Sequence, residues 1–572
     1  SAAYLKTLAR IAALDDRLGK DKPGVDINIP VRIIFSPGLA HIARCAGGDL
    51  KVLMDIRTAE RTIRKQWKAY SDDDVLSPGA LRCTFELSPM VADFDEWAVT
   101  SKTTEAMESL ALGDVWFSQL SLAAELGPEL EKDELQSRKT LGKLMTRVLN
   151  LGNRSRERSL GALGLFINAA LKPGDFEAMC SAIALNQMTK NLSLGMWMDT
   201  HRWKWLAYSL FSKRARACSA LQSLALLSIH NMRIAEMKEF AAILASEYPE
   251  EELFDCPRGA VEGREATLKR GAPIRWQFHD KGEAALTARA MVLDSSIPSV
   301  RTFSDDGESA WVNVLVPGYG RCQVQRGDLE FQEDNQDQST QTTELTSLTL
   351  GFSACCAGTS SGLPVFLRAV GSTLKRLTLN GPRVDIDENW ILESCPNIEE
   401  LSTCGGLVDA RLNFCGYRAS NEPFPELNCY WDDVAALASD LQDPSNPLSN
   451  CVHRLRVRLN FIDGARRLKA AAKALLQMLR RNKSLEFLEV VVQPKYDGYF
   501  AEFRRHHRQP IGRALKPLPR EGKAAFISVL SRQQATKTQE ELRKPGIGQL
   551  NHVVKNIFAF AADPVLREVY FR

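Results

Sequence analysis

Gly358-Thr-Ser360-Ser-Gly362 matches G-x-S-x-G, the turn that presents a serine nucleophile between strand and helix in α/β-hydrolases. That chemistry needs a tight turn, a general base and an oxyanion hole. Here seven residues separate Leu350, the end of the preceding apolar run, from Gly358. No HGGG-like segment stands upstream, and the histidines that follow, His453 and His506, fall in a strand pattern and a basic loop. A Gly/Ser-rich connection accounts for the match, so no catalytic residue is assigned. His506-His507 lie inside Arg504-Arg-His-His-Arg508, and a metal would need further ligands that this neighbourhood lacks. Neither a G-x-x-x-x-G-K-[ST] loop, nor G-x-G-x-x-G after a strand, nor H-E-x-x-H occurs. The expectation is a non-enzymatic protein with no cofactor and no metal.

Recognition by charge has more support. In Leu455-Arg456-Val-Arg458-Leu, arginines alternate with apolar residues, so on a strand both guanidinium groups leave the face opposite the core. Thr378 and Asn380, in Leu377-Thr-Leu379-Asn, take the equivalent outward positions of a second such phrase. Arg456, Arg458, Thr378 and Asn380 are the candidate partner-binding residues. From His453 to Lys523 the chain carries 18 Lys/Arg against 6 Asp/Glu. Ala465-Arg-Arg-Leu-Lys…Leu479-Arg-Arg-Asn-Lys483 places several of these cations on a helical pattern. Such charge fits a solvated surface first, an acidic protein partner second and nucleic acid third, because no aromatic stacking platform is evident among the arginines. The aromatic run Met196-Trp197-Met198…Trp203-Lys-Trp205…Tyr208…Phe211 has helical spacing and is read as packing between elements.

Strands must present these residues, and the chain repeats one strand phrase. The pattern apolar–x–x–apolar–x–apolar appears as Leu160–Leu165, Leu221–Leu226, Leu345–Leu350, Leu374–Leu379, Val452–Val457 and Leu485–Val490. Weaker copies start at Thr189 and Ile398, and eroded ones are read at Leu50–Leu53, Leu81–Leu87 and Val115–Leu122. Helical patterns such as Ile234–Leu244 lie between copies. Starts at 160, 189 and 221 are 29 and 32 residues apart, and those at 345, 374 and 398 are 29 and 24 apart. A short strand plus a helix, recurring about every 20–30 residues, marks a leucine-rich repeat. Repeats of this length resemble the ribonuclease-inhibitor subtype over 160–256 and 343–492. The resemblance implies an α/β horseshoe with strands on its concave face, where the four candidate residues would lie.

Between Pro257 and Thr342 the period changes to alternation, in Ile274–Phe278, Ala288–Leu293, Ala310–Val316 and Arg321–Val324, punctuated by Gly and Pro. This reads as a small β-barrel insert whose closing hairpin, Trp311 to Leu329, resembles an SH3-like barrel, with Trp311 in its core. Glu330–Thr343 is polar and acidic and reads as a return linker. After the last repeat, Tyr496–Pro519 is a basic, Pro-punctuated loop, followed by helical patterns at Glu521–Gln533 and Gln549–Ala562. The expected organisation is an N-terminal α/β region (1–159), repeats (160–256), the SH3-like insert and linker (257–342), repeats (343–492), and a basic loop with a helical cap (493–572).

An interrupted repeat array ending in Ile557-Phe-Ala-Phe-Ala-Ala…Val565-Leu-Arg-Glu-Val-Tyr-Phe571 resembles an expanded group of intracellular leucine-rich-repeat proteins of oomycetes. That resemblance implies a binding surface and no known activity. Leu550–Leu566 also looks somewhat like the opening of an F-box, which implies a ubiquitin-ligase adaptor. Only about half of that motif is present, so a capping helix is the reading preferred.

At 572 residues, 44% apolar and 25% charged, the chain has the make-up of a globular protein of more than one core. Thirteen cysteines, including Cys355-Cys356 but no C-x-x-C, fit a reduced compartment rather than a disulfide or zinc framework. No apolar run spans a membrane, and Ser1–Ile11 lacks a signal-peptide layout. The expected location is the cytoplasm or nucleus. Oligomeric state is not legible.

Overall fold

The computed structural model describes residues 28–35, 82–89, 98–99, 119–126, 162–167, 173–186, 189–195, 199–276, 290–331, 344–353, 360–381, 387–420, 422–462, 464–493, 498–515 and 564–572. The chain divides into two compact units, Ser1–Lys375 with Ser394–Asn397, and Arg376–Glu393 with Ile398–Arg572. Among the described residues no helix is long and apolar enough to cross a membrane. The expected segments Leu50–Leu53, Glu521–Gln533 and Gln549–Ala562 lie outside the described residues.

In the first unit, β1 (Asn28–Phe35) pairs in parallel with β2 (Arg82–Pro89). A second sheet begins with β3 (Ala98–Val99) and β4 (Gln119–Leu126), and continues through β5 (Ala162–Ile167), β6 (Asn191–Gly195) and β7 (Ser223–Ile229), all parallel. The repeat phrases set its register: Leu163, Leu192 and Leu224 align, as do Leu165, Leu194 and Leu226. Helices α1 (Pro173–Ile183), α2 (Thr200–Leu206), α3 (Lys213–Cys218), α4 (Ile234–Ala245) and α5 (Pro249–Leu253) intervene. Leu192, Leu194, Leu224 and Leu226 are buried, as are Trp203, Trp205, Tyr208 and Phe240. Trp203 meets Phe240 edge-on with centroids 6.1 Å apart, so Trp203, Trp205 and Tyr208 of the aromatic run are core. Each such side chain withdrawn from water stabilises the fold by about 1.5–3 kcal/mol.

The insert leaves after α5. Its strands β8 (Glu265–Leu268), β9 (Pro273–Trp276), β10 (Ala290–Val292), β11 (Ile297–Thr302), β12 (Trp311–Val316), β13 (Gly320–Gln325) and β14 (Leu329–Phe331) form one antiparallel sheet in the order β10-β9-β13-β12-β11-β8-β14. Alternate residues, among them Ile274, Val300, Val312, Val314, Cys322 and Val324, share one buried core. Trp311 is a correction. It sits on the opposite face from Val312 and Val314, half-buried, with the Arg275 guanidinium 3.6 Å from its ring centroid. The period of 2 decides this: residue 311 cannot share a face with 312 and 314. Glu330 and Phe331, read as linker, belong to β14.

The insert is fastened to the helices that precede it. Ser181 of α1, buried, accepts hydrogen bonds from the backbone N–H of Gly318 at 3.0 Å and Gly320 at 3.2 Å. Gly320 has φ +77°, and a Cβ there would stand 3.1 Å from Glu177, so only glycine makes this close approach without strain. Tyr208 donates to Glu250 at 2.7 Å and accepts from Arg214 at 2.9 Å, while Arg214 also reaches the Ser299 carbonyl at 3.0 Å. Burial pushes the Tyr208 hydroxyl above its usual range, opposed by Arg214 and reinforced by Glu250. Beyond the insert, β15 (Ser347–Phe352) pairs in parallel with β7, Leu348 on Leu224 and Leu350 on Leu226. The chain then enters α6 (Leu363–Val370), whose Phe366 packs on Phe240. Some 120 residues leave the ladder and return to it in register.

In the second unit, β16 (Arg376–Asn380) pairs in parallel with β17 (Glu400–Cys404). Next comes a strand with no leucine phrase, β18 (Val408–Asn413), antiparallel to β17 and to β19 (Val452–Arg458). Its turn depends on Gly405, with φ +101°, where a Cβ would lie 2.6 Å from the Gly381 carbonyl oxygen. Parallel pairing resumes with β20 (Phe487–Val491). Outside β19 and β20, α7 (Val434–Asp440) packs on α8 (Ala465–Arg481). The latter buries Leu468, Ala472, Leu475 and Leu479 along one stripe, the 3.6-residue period of an amphipathic helix.

One further expectation needs correction. The basic stretch after Tyr496, read as irregular, contains α9 (Phe500–Arg504) and β21 (Pro510–Leu515), whose partner is β22 (Pro564–Leu566). At the end of the described residues, β23 (Glu568–Phe571) runs parallel to β20. The Arg567 guanidinium, buried, donates to the carbonyls of Leu479 at 2.6 Å and Leu485 at 2.9 Å, and to Asn482. It thereby satisfies acceptors at the C-terminal end of α8, where a cation is also favoured by the helix dipole.

Candidate functional site

Among the described residues, charged side chains with unengaged nitrogens gather on one face of the second unit's sheet. Alternation sends Leu401, Leu412, Leu455, Val457, Leu488 and Val490 into the core and leaves the intervening residues on the other face. Register sorts these into rows. One runs Thr378, Ser402, Arg411, Arg454, Phe487 and Glu568. A second contains Asp409, Arg456, Glu489 and Tyr570. Thr378, Ser402, Cys404, Asp409, Ala410, Arg411, Arg454, Leu455, Arg456 and Phe487 enclose a depression of about 180 Å³.

Each arginine here is held differently. Arg458 is forked onto Asp409, with both contacts at 2.6 Å, and donates to the Gly406 carbonyl at 2.6 Å. Only 18% of its side chain is accessible, so the pair braces the β18–β19 hairpin. That corrects the expectation that Arg458 stands free for a partner. Arg456 meets Glu489 through its Nε at 3.3 Å and is 45% accessible. Arg411 meets Glu400 the same way, at 3.1 Å, and is 50% accessible. Arg454 is exposed, with its guanidinium 4.4 Å from the Phe487 ring centroid. Of the other expected residues, Thr378 lines the depression, while Asn380 is exposed at the end of β16 and does not.

Reading the sequence missed Arg411, Arg454 and an aromatic pair. Phe487 and Tyr570 stand 5.7 Å apart by ring centroid, and Arg572 lies over Tyr570 at 5.2 Å. The arginines therefore do have aromatic neighbours, brought together by a strand from the chain's last residues. A period-2 signal was available in Arg454-x-Arg456-x-Arg458 and in Asp409-x-Arg411-x-Asn413. Nothing local paired them.

The remaining candidate chemistry is absorbed by structure. Burial raises the Cys404 thiol above its ordinary value, reinforced by Asp409 and opposed by Arg411, Arg458 and Arg456, so it is a neutral thiol near pH 7 rather than a nucleophile. Cys451 is pushed up to about 11 by burial, against a hydrogen bond from Tyr417. His453 contacts Glu486 at 3.2 Å, His506 contacts Gln509 at 3.2 Å, and His507 accepts from the Val569 N–H at 3.1 Å. No group of three metal-ligating side chains occurs among the described residues. Ser360 is buried, and residues 354–359 of the G-x-S-x-G neighbourhood lie outside the described residues.

Comparison with protein-family models, with curated proteins and with solved structures found no match.

Proposed function

We propose that this chain is a leucine-rich-repeat-type interaction scaffold that binds an acidic protein partner through the open strand face of its second unit. The observation carrying the reading is that Arg411, Arg454 and Arg456 surround one depression with their terminal nitrogens unengaged among the described residues. A strand's backbone is already ordered, so binding costs mainly the rotamer freedom of the arginine side chains, roughly 0.5–1.5 kcal/mol each. Exposed singly, each arginine contributes on the order of 1 kcal/mol or less, so affinity depends on a partner that covers several at once. The aligned leucines across β5, β6, β7 and β15 support the repeat part of the reading. The test is quantitative capture from a cell extract, comparing wild type with an Arg454→Glu, Arg456→Glu double variant. Loss of specific partners at unchanged melting temperature supports the reading; unchanged recovery of every partner removes this face from the binding site.

One observation favours a second reading, binding of single-stranded nucleic acid. Phe487 and Tyr570, flanked by Arg454 and Arg572, provide stacking surfaces beside cations. Asp409, Glu489, Glu400 and Glu568 share the same sheet and oppose a phosphate backbone, so the protein-partner reading ranks first. A fluorescent oligonucleotide titrated at two salt concentrations separates the two, because backbone binding weakens steeply with salt. The F-box-like adaptor reading gains nothing from Pro564–Leu566, which is strand.

A further inference from the structure

We infer that the depression on this face receives a phosphate monoester, a phosphorylated side chain of the partner polypeptide, rather than a carboxylate. The inference rests on the binding role proposed above for this face. What carries it is the way the carboxylates beside these arginines are used. Glu400 and Glu489 each grip an arginine at Nε, 3.1 Å from Arg411 and 3.3 Å from Arg456. That grip fixes the guanidinium planes and leaves both Nη groups of each arginine without a hydrogen-bond partner among the described residues. Asp409 is the carboxylate that lines the depression itself, but Arg458 engages both of its oxygens at 2.6 Å, so it is neutralised there. Arg454 is supported from one side by the Phe487 ring and has no carboxylate within ion-pair distance among the described residues.

The ladder adds a second argument. Arg411 and Arg454 are direct cross-strand partners, with Cβ atoms about 5 Å apart, and like charges so placed destabilise a sheet. An anion between them reverses that sign. A carboxylate offers one charge and two oxygens, which one guanidinium fork satisfies. A phosphate monoester offers roughly −1.5 to −2 charges and three acceptor oxygens. That matches three guanidinium groups together with Thr378, which lines the same depression, whereas the Ser402 hydroxyl is given to Glu400 at 3.4 Å.

The experiment is calorimetric titration of the full chain with O-phosphoserine and, separately, with glutamate at equal ionic strength. Saturable phosphoserine binding is expected, with glutamate at least tenfold weaker. Arg454→Gln should weaken phosphoserine at least tenfold at unchanged melting temperature, and Arg454→Lys should recover only part of the loss. Phosphatase treatment of the extract should then reduce capture of the partner. Equal affinity for glutamate, or phosphoserine binding indifferent to Arg454→Gln, overturns the phosphate assignment while leaving the acidic-partner reading in place. Capture unaffected by phosphatase overturns it as well, as does tighter binding of a 5′-phosphorylated oligonucleotide than of phosphoserine, which would assign the site to nucleic acid. If the Arg454→Glu, Arg456→Glu variant recovers every partner, the binding reading itself fails.

Discussion

The strands β6, β7 and β15 of the first unit and the strands β16 to β20 of the second share one inward pattern and differ outward. Inward, Leu192, Leu194, Leu224, Leu226, Leu348 and Leu350 in the first region correspond to Leu377, Leu379, Leu455, Val457, Leu488 and Val490 in the second, all buried. Outward, the first region shows Asn191, Ser193, Ser223, Ala225, Ser347 and Thr349, small and uncharged. The second shows Arg376, Glu400, Asp409, Arg411, Arg454, Arg456 and Glu489. One backbone pattern thus carries a neutral face and a charged one. The difference teaches that core positions define the strand, while the positions between them are free to take on binding chemistry.

The largest expected effects come from the shared part. Leu226→Ala and Leu455→Ala, at 0% and 1% exposure, should each cost about 3 kcal/mol through lost transfer and the residual cavity. Urea unfolding measures both. A cost under about 1 kcal/mol in either region would break the equivalence, because a buried leucine that can be emptied cheaply is not core.

Next in size is a feature of the second unit, Arg567. Its buried guanidinium serves three carbonyls near the end of α8, and burial lowers its pKa from the usual arginine value. Arg567→Met should cost about 2–3 kcal/mol by leaving acceptors unsatisfied. Amide hydrogen exchange should rise across 487–491 and 568–571. Exchange confined to 568–571 would show that the terminal strand is dispensable to β20.

A smaller and pH-dependent effect belongs to the insert. Asp305 accepts from Arg326 at 2.7 and 3.0 Å and from the Gly307 N–H at 2.9 Å. The Arg326 hydrogen bonds hold its carboxyl below the ordinary carboxylate value. A lowered folded-state pKa means that this stabilisation is complete above the unfolded value, about 3.9, and disappears as pH falls through the folded value. Asp305→Asn should cost about 1–2 kcal/mol near neutrality and flatten the acid-side loss. Exchange of 297–316 followed from about pH 5 to about pH 2 checks both.

The smallest effects should come from the outward positions. Ala225→Arg and Thr349→Glu, placed opposite each other on β7 and β15, should change stability by no more than about 0.5 kcal/mol. Arg454→Gln and Arg456→Gln should do likewise while altering partner capture. A large stability loss at any of these would mean that the open face is part of the packing.

Much of the strand plan was readable without coordinates. The phrases beginning at Leu221, Leu345, Leu374, Val452 and Leu485 lie on β7, β15, β16, β19 and β20, because a strand buried on one face must place apolar residues at alternate positions. The strands overlooked were missed for different reasons. β8 and β14 are four and three residues long, too short for alternation to stand out. β18 alternates clearly, Val408-Asp-Ala-Arg-Leu-Asn413, but lacks the leucine phrase that marks its neighbours. Of the candidate site, Arg456 and Thr378 were legible as outward residues. The bracing role of Arg458 was not, since its partner Asp409 lies 49 positions away.

By itself, the sequence determined which positions face inward, because the periods of 2 and 3.6 are local properties of the chain and burial reads them directly. It also determined the excess of cations in the region from His453 onward. Pairing was decided only by the tertiary structure. Folding set β7 beside β15 across the insert, reversed β18 against β17 and β19, and brought Tyr570 next to Phe487. These outcomes depend on loop closure and on which strand edges remain open, neither of which is written in any short window. For that reason an arginine's charge was visible in the chain, while whether it braces a hairpin or waits for a ligand was settled by the neighbour the fold supplied.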